Sequence, residues 1–228
     1  MRSILVLFCG FSGVLLSACQ PESLLRPPDA PVVSFAAPTT GTASDLELEL
    51  VTESAPQNGG ELSYRLEWFV DQQESVDVGP SPVFEGDSRT HVLSNEHTQK
   101  EQLWVAWVVA VETVEERTVE SAPARGFVRV VNTAPSMDGA QLAPAQAYEA
   151  TQLDCTPVDP NDPDGDEAEL EVTWFVDGLE VAVQSSLDGA FFDKDQEVHC
   201  QLRLFDGEDW GEAVVSESAT ILNTAPEI

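Results

Sequence analysis

The chain has 228 residues, 42% of them hydrophobic, and sets 41 Asp and Glu against 10 Lys and Arg, a formal net charge of -31. That apolar share is enough to build cores, so the charge reads as an acidic surface on folded modules, and the length suits one large or two ordinary domains. A surface of this sign repels phosphate backbones and anionic headgroups, which excludes nucleic acid from the expected partners.

The first eighteen residues carry Arg2, an apolar run from Ile4 to Leu16 and small residues before Cys19, the plan of a signal peptide and too short for a membrane span. Leu16-Ser17-Ala18-Cys19 resembles the lipobox of bacterial lipoproteins. That resemblance implies that residues 1–18 are removed and that Cys19 is lipidated as the new N-terminus. With Gln20 after it in place of aspartate, the implied address is the outer membrane of a bacterial envelope. The alternative is a soluble secreted protein in which Cys19 has no role. With Cys9 lost in the leader and Cys19 acylated, Cys155 and Cys200 remain as the pair that an oxidising compartment would join. Residues 19–31 are rich in proline and lack apolar periodicity, and they read as an extended linker to the first domain.

From Val32 to Thr133 short alternating runs are separated by turn signals, with no helical period. Leu46, Leu48 and Leu50 alternate with Glu47 and Glu49, a strand with one dry face. After the break at 54–61, Tyr64, Leu66, Trp68 and Val70 share one face, with Arg65, Glu67 and Phe69 on the other. The stretch Leu103 to Val111 is apolar at nearly every position, so period two cannot say which of Trp104 and Trp107 faces inward. Both are therefore candidates for a contact surface.

The second domain, 134–224 with a tail at 225–228, repeats these features. Trp68-Phe69-Val70-Asp71 returns as Trp174-Phe175-Val176-Asp177, and Asn132-Thr133-Ala134-Pro135 returns as Asn223-Thr224-Ala225-Pro226. A repeat of about a hundred residues indicates a pair of domains joined by a short stiff phrase. Cys155 and Cys200 bracket Trp174 on three separate predicted strands, an arrangement that staples two sheets and packs an indole against the bridge. With Asp162 to Asp166 and Asp206-Gly207, these residues resemble the immunoglobulin-like repeats of the cadherin and polycystic-kidney-disease type found in tandem in bacterial surface proteins. The resemblance implies an all-β protein of two tandem immunoglobulin-like β-sandwiches after a lipoprotein signal peptide. It is fuller in the second domain than in the first, which lacks the cysteines and the acidic loop.

Asp177-Gly178 suits a tight hairpin. The loop Asp159, Asn161, Asp162, Asp164 and Asp166 is dense in the hard oxygen donors that calcium takes, although its order is not that of an EF-hand. In a sandwich of this type it would meet Asp206 and Asn132 at the joint between the domains, where a divalent ion would neutralise the cluster. The same residue types also make an ordinary exposed turn that binds nothing. The three histidines are scattered, no zinc spacing remains, and there is no nucleophile elbow or phosphate loop. The expectation is therefore a non-enzymatic module that meets an envelope protein or glycan or serves as a spacer. The alternatives are a pure stalk of a longer array and an accessory domain of an envelope enzyme.

Overall fold

The computed structural model describes residues 24–71, 83–84 and 88–224. The leader with Cys19 and the tail at 225–228 lie outside the described residues, and no described helix is long and apolar enough to cross a membrane. Among the described residues, eight strands form the first module: β1 Val32–Phe35, β2 Thr39–Gly41, β3 Leu46–Thr52, β4 Glu61–Val70, β5 Thr90–Leu93, β6 Leu103–Val114, β7 Arg117–Glu120 and β8 Ala124–Val131. Nine form the second: β9 Gly139–Ala143, β10 Ala147–Tyr148, β11 Leu153–Val158, β12 Glu169–Val176, β13 Leu179–Val183, β14 Ser186–Leu187, β15 Glu197–Phe205, β16 Val214–Val215 and β17 Ala219–Leu222.

Each module is a sandwich of one small and one large sheet. The first pairs β1-β3-β5 with β2-β8-β6-β4, and the second pairs β14-β11-β9 with β10-β17-β15-β12-β13. The chain is all-β in two tandem immunoglobulin-like sandwiches. The alternation that specifies this is visible in burial: Leu46, Leu48 and Leu50 point inward from β3, as do Val198, Cys200, Leu202 and Leu204 from β15, while their neighbours stay wetter. A one-residue slip in any of these strands would turn its leucines to solvent, so register is firmly set.

The segment leading into β1 has no regular structure, yet it does not run free as a tether along its described length. Pro28 and Pro31 are buried, and Arg26 exchanges backbone hydrogen bonds of 2.9 and 2.8 Å with the Asn58 side chain. That side chain is held in turn by Glu112, a fully buried carboxylate on β6 that accepts from the amides of Gln57, Asn58 and Gly60. Burial pushes the Glu112 carboxyl up, but these amides outweigh it and hold it down at about 2.

The repeated Trp-Phe-Val-Asp phrase has one job in both copies. Asp71 and Asp177 take positive φ, 49° and 48°, and their Oδ1 atoms accept the first amides of the neighbouring strands, Leu103 at 2.9 Å and Glu197 at 2.9 Å. The aspartate thus ends one strand and registers the next, a use for which its short polar side chain is suited.

Candidate metal centre at the joint

Antiparallel register decides what meets at the joint. Val158 pairs with Gly139 and Glu169 with Phe205, so the loops that follow β11 and β15 both lie where the chain enters the second module. Asn161 anchors the first of them through a backbone bridge to Ser136. Beyond that anchor, Asp162, Asp164 and Asp166 converge, with one donor oxygen from each lying within 4.8 Å of the others.

Their oxygens are not equivalent. Asp162 Oδ1 accepts the amides of Asp164 and Asp166 at 2.8 and 3.1 Å, which shapes the turn, and Asp164 Oδ2 accepts the Thr133 amide at 2.8 Å. The remaining atoms, Asp162 Oδ2 and Asp164 Oδ1, are buried and have no hydrogen-bond partner among the described residues. Asp166 Oδ2 meets Lys100 Nζ, which reaches across from the turn before β6 in the first module and also bridges Glu208 Oε1 at 2.8 Å. Hydrogen bonds to Asp166 and Glu208 outweigh burial and raise the Lys100 ammonium above its usual range, so it remains a fixed cation.

Asn132 clamps the other loop, donating from Nδ2 to Asp206 at 2.8 Å and to Asp209 at 3.0 Å. Burial would raise the Asp206 carboxyl, but the Asn132 amide, the backbone amides of Asp209 and Glu208 and the charge of Lys100 together lower it. The same turn presses on the connecting phrase. Gly211 is buried, and a β-carbon there would stand 2.2 Å from the Pro135 carbonyl oxygen.

Seven residues are expected at this site from the sequence, and of their five carboxylates the structure unites three, Asp162, Asp164 and Asp166. Asp159 is exposed at positive φ outside the cluster, Asn161 contributes its backbone to the bridge, and Asn132 and Asp206 are bonded to each other. What fits calcium is the donor set and its spacing. Oxygens on opposite sides of an ion bound at about 2.4 Å stand about 4.8 Å apart, and two buried carboxylate oxygens lack partners. What competes is Lys100, already seated on Asp166. Sequence reading misses Lys100, which lies 66 positions from Asp166; the only hint is that it is one of two lysines in so acidic a chain.

The two tryptophans of β6 part company. Trp104 is 1% exposed, packs edge-on against Trp68 and donates Nε1 to Gln102 at 3.0 Å, so the expectation of a contact surface at Trp104 is corrected. Its even-numbered place on β6 shares the core face with Ala106, Val108 and Ala110. Trp107 points outward, 4.8 Å from Phe69 and under the Arg125 guanidinium at 4.2 Å. Cys155 and Cys200 form a disulfide between the two sheets of the second module, with Trp174 directly beside Cys200.

No family model matches the chain, and no curated protein matches it. Among solved structures it is similar to a segment of two fibronectin type III domains from chicken tenascin, at 14% identity and a TM-score of 0.42, over 86% of this chain and 99% of that one. It is also similar to the FN1–FN3 domains of chicken CNTN1, at 11% identity and a TM-score of 0.33, over 87% of this chain and 69% of that one.

Proposed function

We propose that the chain is a non-catalytic, lipid-anchored spacer and binding module of a bacterial envelope, held to the outer membrane through Cys19 and presenting two sandwiches with a stiff joint to an envelope protein or glycan. The observation that carries the reading is the joint. Lys100 ties the first module to both acidic loops of the second, and Asn132 and Thr133 pin the connecting phrase to the same loops. Links from several directions oppose bending better than a single flexible linker does.

Pulsed electron-spin distances between labels on the two modules test this. A narrow distribution that broadens in Lys100→Met supports a stiff spacer, and a broad distribution in the wild type overturns it. Loss of membrane association in Cys19→Ala checks the anchor.

A second reading adds calcium at the joint, favoured by the two unpartnered oxygens of Asp162 and Asp164. The three aspartates would hold the ion weakly, at about 0.1 to 1 mM as in extracellular modules. Calcium at millimolar level is then expected to raise the melting temperature of the wild type and not of Asp164→Ala. An unchanged wild-type curve leaves Lys100 as the sole counter-charge.

A further inference from the structure

The two copies of the repeated strand differ at one edge. Aligned on Trp68 and Trp174, Tyr64 of β4 corresponds to Leu170 of β12, and Ser63 and Arg65 correspond to Glu169 and Glu171. In the first module an extended piece of chain closes that edge: Val83 bridges Tyr64 antiparallel and donates its N–H to the Tyr64 carbonyl at 3.0 Å. The Val83 side chain joins the core, and the Phe84 ring stands edge-on to Tyr64 at 6.0 Å, which leaves Tyr64 only 8% exposed.

In the second module the same edge is open among the described residues. β13 pairs with β12 only from Thr173 to Val176, and Gln184 adds one bond, from its N–H to the Val172 carbonyl at 3.0 Å. Alternate residues of a strand aim their N–H and C=O to the same side, so those of Leu170 point out of this edge, and no described backbone group pairs with them there. Leu170 is 40% exposed where Tyr64 is covered. Beside it lies a groove of about 570 Å³, lined by Cys155, Leu170, Val172 and Val183 and by Glu169 and Glu171. Neither glutamate has an ion pair among the described residues, because Arg203, opposite Glu171 in register, turns to the Gly211 carbonyl and the Trp210 ring.

We infer that this edge receives an extended segment of a second protein, which adds to β12 antiparallel beside Leu170 as Val83 adds to β4 beside Tyr64. Main-chain pairing supplies the affinity and alternating side chains the specificity. The residue opposite Leu170 takes the part of Val83 and is apolar, because its side chain enters the groove that Cys155 lines. Its two neighbours lie on the outer face opposite Glu169 and Glu171, where opposite charges across a strand pair are favourable and like charges are not, so both are Lys or Arg. The incoming segment is therefore basic, apolar, basic. This chain does not supply it, since none of its ten Lys and Arg stand two positions apart. Its net charge of -31 draws a basic partner in. Exposed edges are commonly guarded by Lys, Pro or a bulge. Residues 169–172 contain neither Lys nor Pro, and the register shift of β12 lies further on, between Trp174 and Phe175.

The test is an NMR titration of the full chain, with its disulfide intact, by the blocked peptide Thr-Lys-Val-Lys-Thr. Saturating shifts centred on the Leu170 and Val172 amides are expected. The scrambled peptide Lys-Lys-Thr-Thr-Val has the same charge, and the parent peptide N-methylated at its valine lacks the N–H that Val83 uses; each is expected to bind about tenfold more weakly. Glu169→Lys combined with Glu171→Lys is expected to weaken the parent peptide about tenfold and to gain Thr-Glu-Val-Glu-Thr, an exchange of preference that also shows the variant folds. No shift at millimolar peptide, shifts centred elsewhere, equal binding of the scrambled or N-methylated peptide, or a folded variant that keeps the parent preference overturns the proposal. This partner class rests on the binding-module reading but takes nothing from the joint. An unmoved Leu170 together with a narrow distance distribution between the modules would therefore remove the partner and keep the spacer.

Discussion

The two modules fix the same sandwich by different means. In the second, Cys155 and Cys200 bridge the sheets, and Trp174 beside them donates Nε1 to the Gln184 carbonyl at 2.8 Å. In the first, Ala106 stands opposite Trp68 where Cys200 stands opposite Trp174. The missing bridge is replaced by rings, with Phe35, His91 and Trp104 set around Trp68 at 5.9 to 6.2 Å, and the Trp68 Nε1 is buried with no hydrogen-bond partner among the described residues. A covalent link thus goes with a fully satisfied indole and pure packing with an unsatisfied one. Aromatic burial is large enough to carry an unpaired N–H, which costs about 1 to 3 kcal/mol.

Reduction should separate the modules most. The bridge closes a loop with a sequence separation of 45, and Cys155→Ala with Cys200→Ala is expected to remove about 4 kcal/mol from the second module alone. Calorimetry should show one of two transitions move, and a joint shift of both would mean that the modules melt as a unit. A smaller contrast is expected between the indoles. Trp174→Phe loses volume and the hydrogen bond to the Gln184 carbonyl, at about 2 to 3 kcal/mol, whereas Trp68→Phe loses volume but discards the unpaired N–H, at about 1 kcal/mol. Equal losses in chemical denaturation would dissolve that distinction.

Acid should then weaken the first module in its own window. Because the Glu112 carboxyl is held at about 2 in the folded chain against an ordinary 4.5, its contribution is complete above pH 4.5 and fades as pH falls towards about 2. Glu112→Gln should abolish that part of the acid sensitivity and cost less than losing the bridge. A first-module midpoint with the same acid dependence in wild type and variant would count against the carboxylate.

Much of this architecture was legible in the residues. The Trp-Phe-Val-Asp repeat marks equivalent strands because each side chain has a distinct task, with the indole inward and the aspartate turning the chain. Cysteine position and leucine alternation read directly because period two is a property of the strand itself. The expectation stopped at β6, where Leu103 to Val111 is apolar on both faces and only pairing with β4 and β8 separates Trp104 from Trp107. At the joint, composition drew in Asp159 and Asn161 because oxygen donors are counted by type, whereas Asp159 stands exposed at a positive φ and Asn161 enters through its backbone bridge to Ser136. Lys100 was invisible because nothing local binds it; its partners arrive from loops 66 and 108 positions away.

Gly211 carries the last consequence. Its lack of a β-carbon is what lets the turn after β15 rest on the Pro135 carbonyl, so the seat of the connecting phrase on the second sandwich is gauged by an absent atom. A methyl group there would act as a wedge between that turn and the strand entry, and the connecting phrase would have to lift off the sandwich that now holds it.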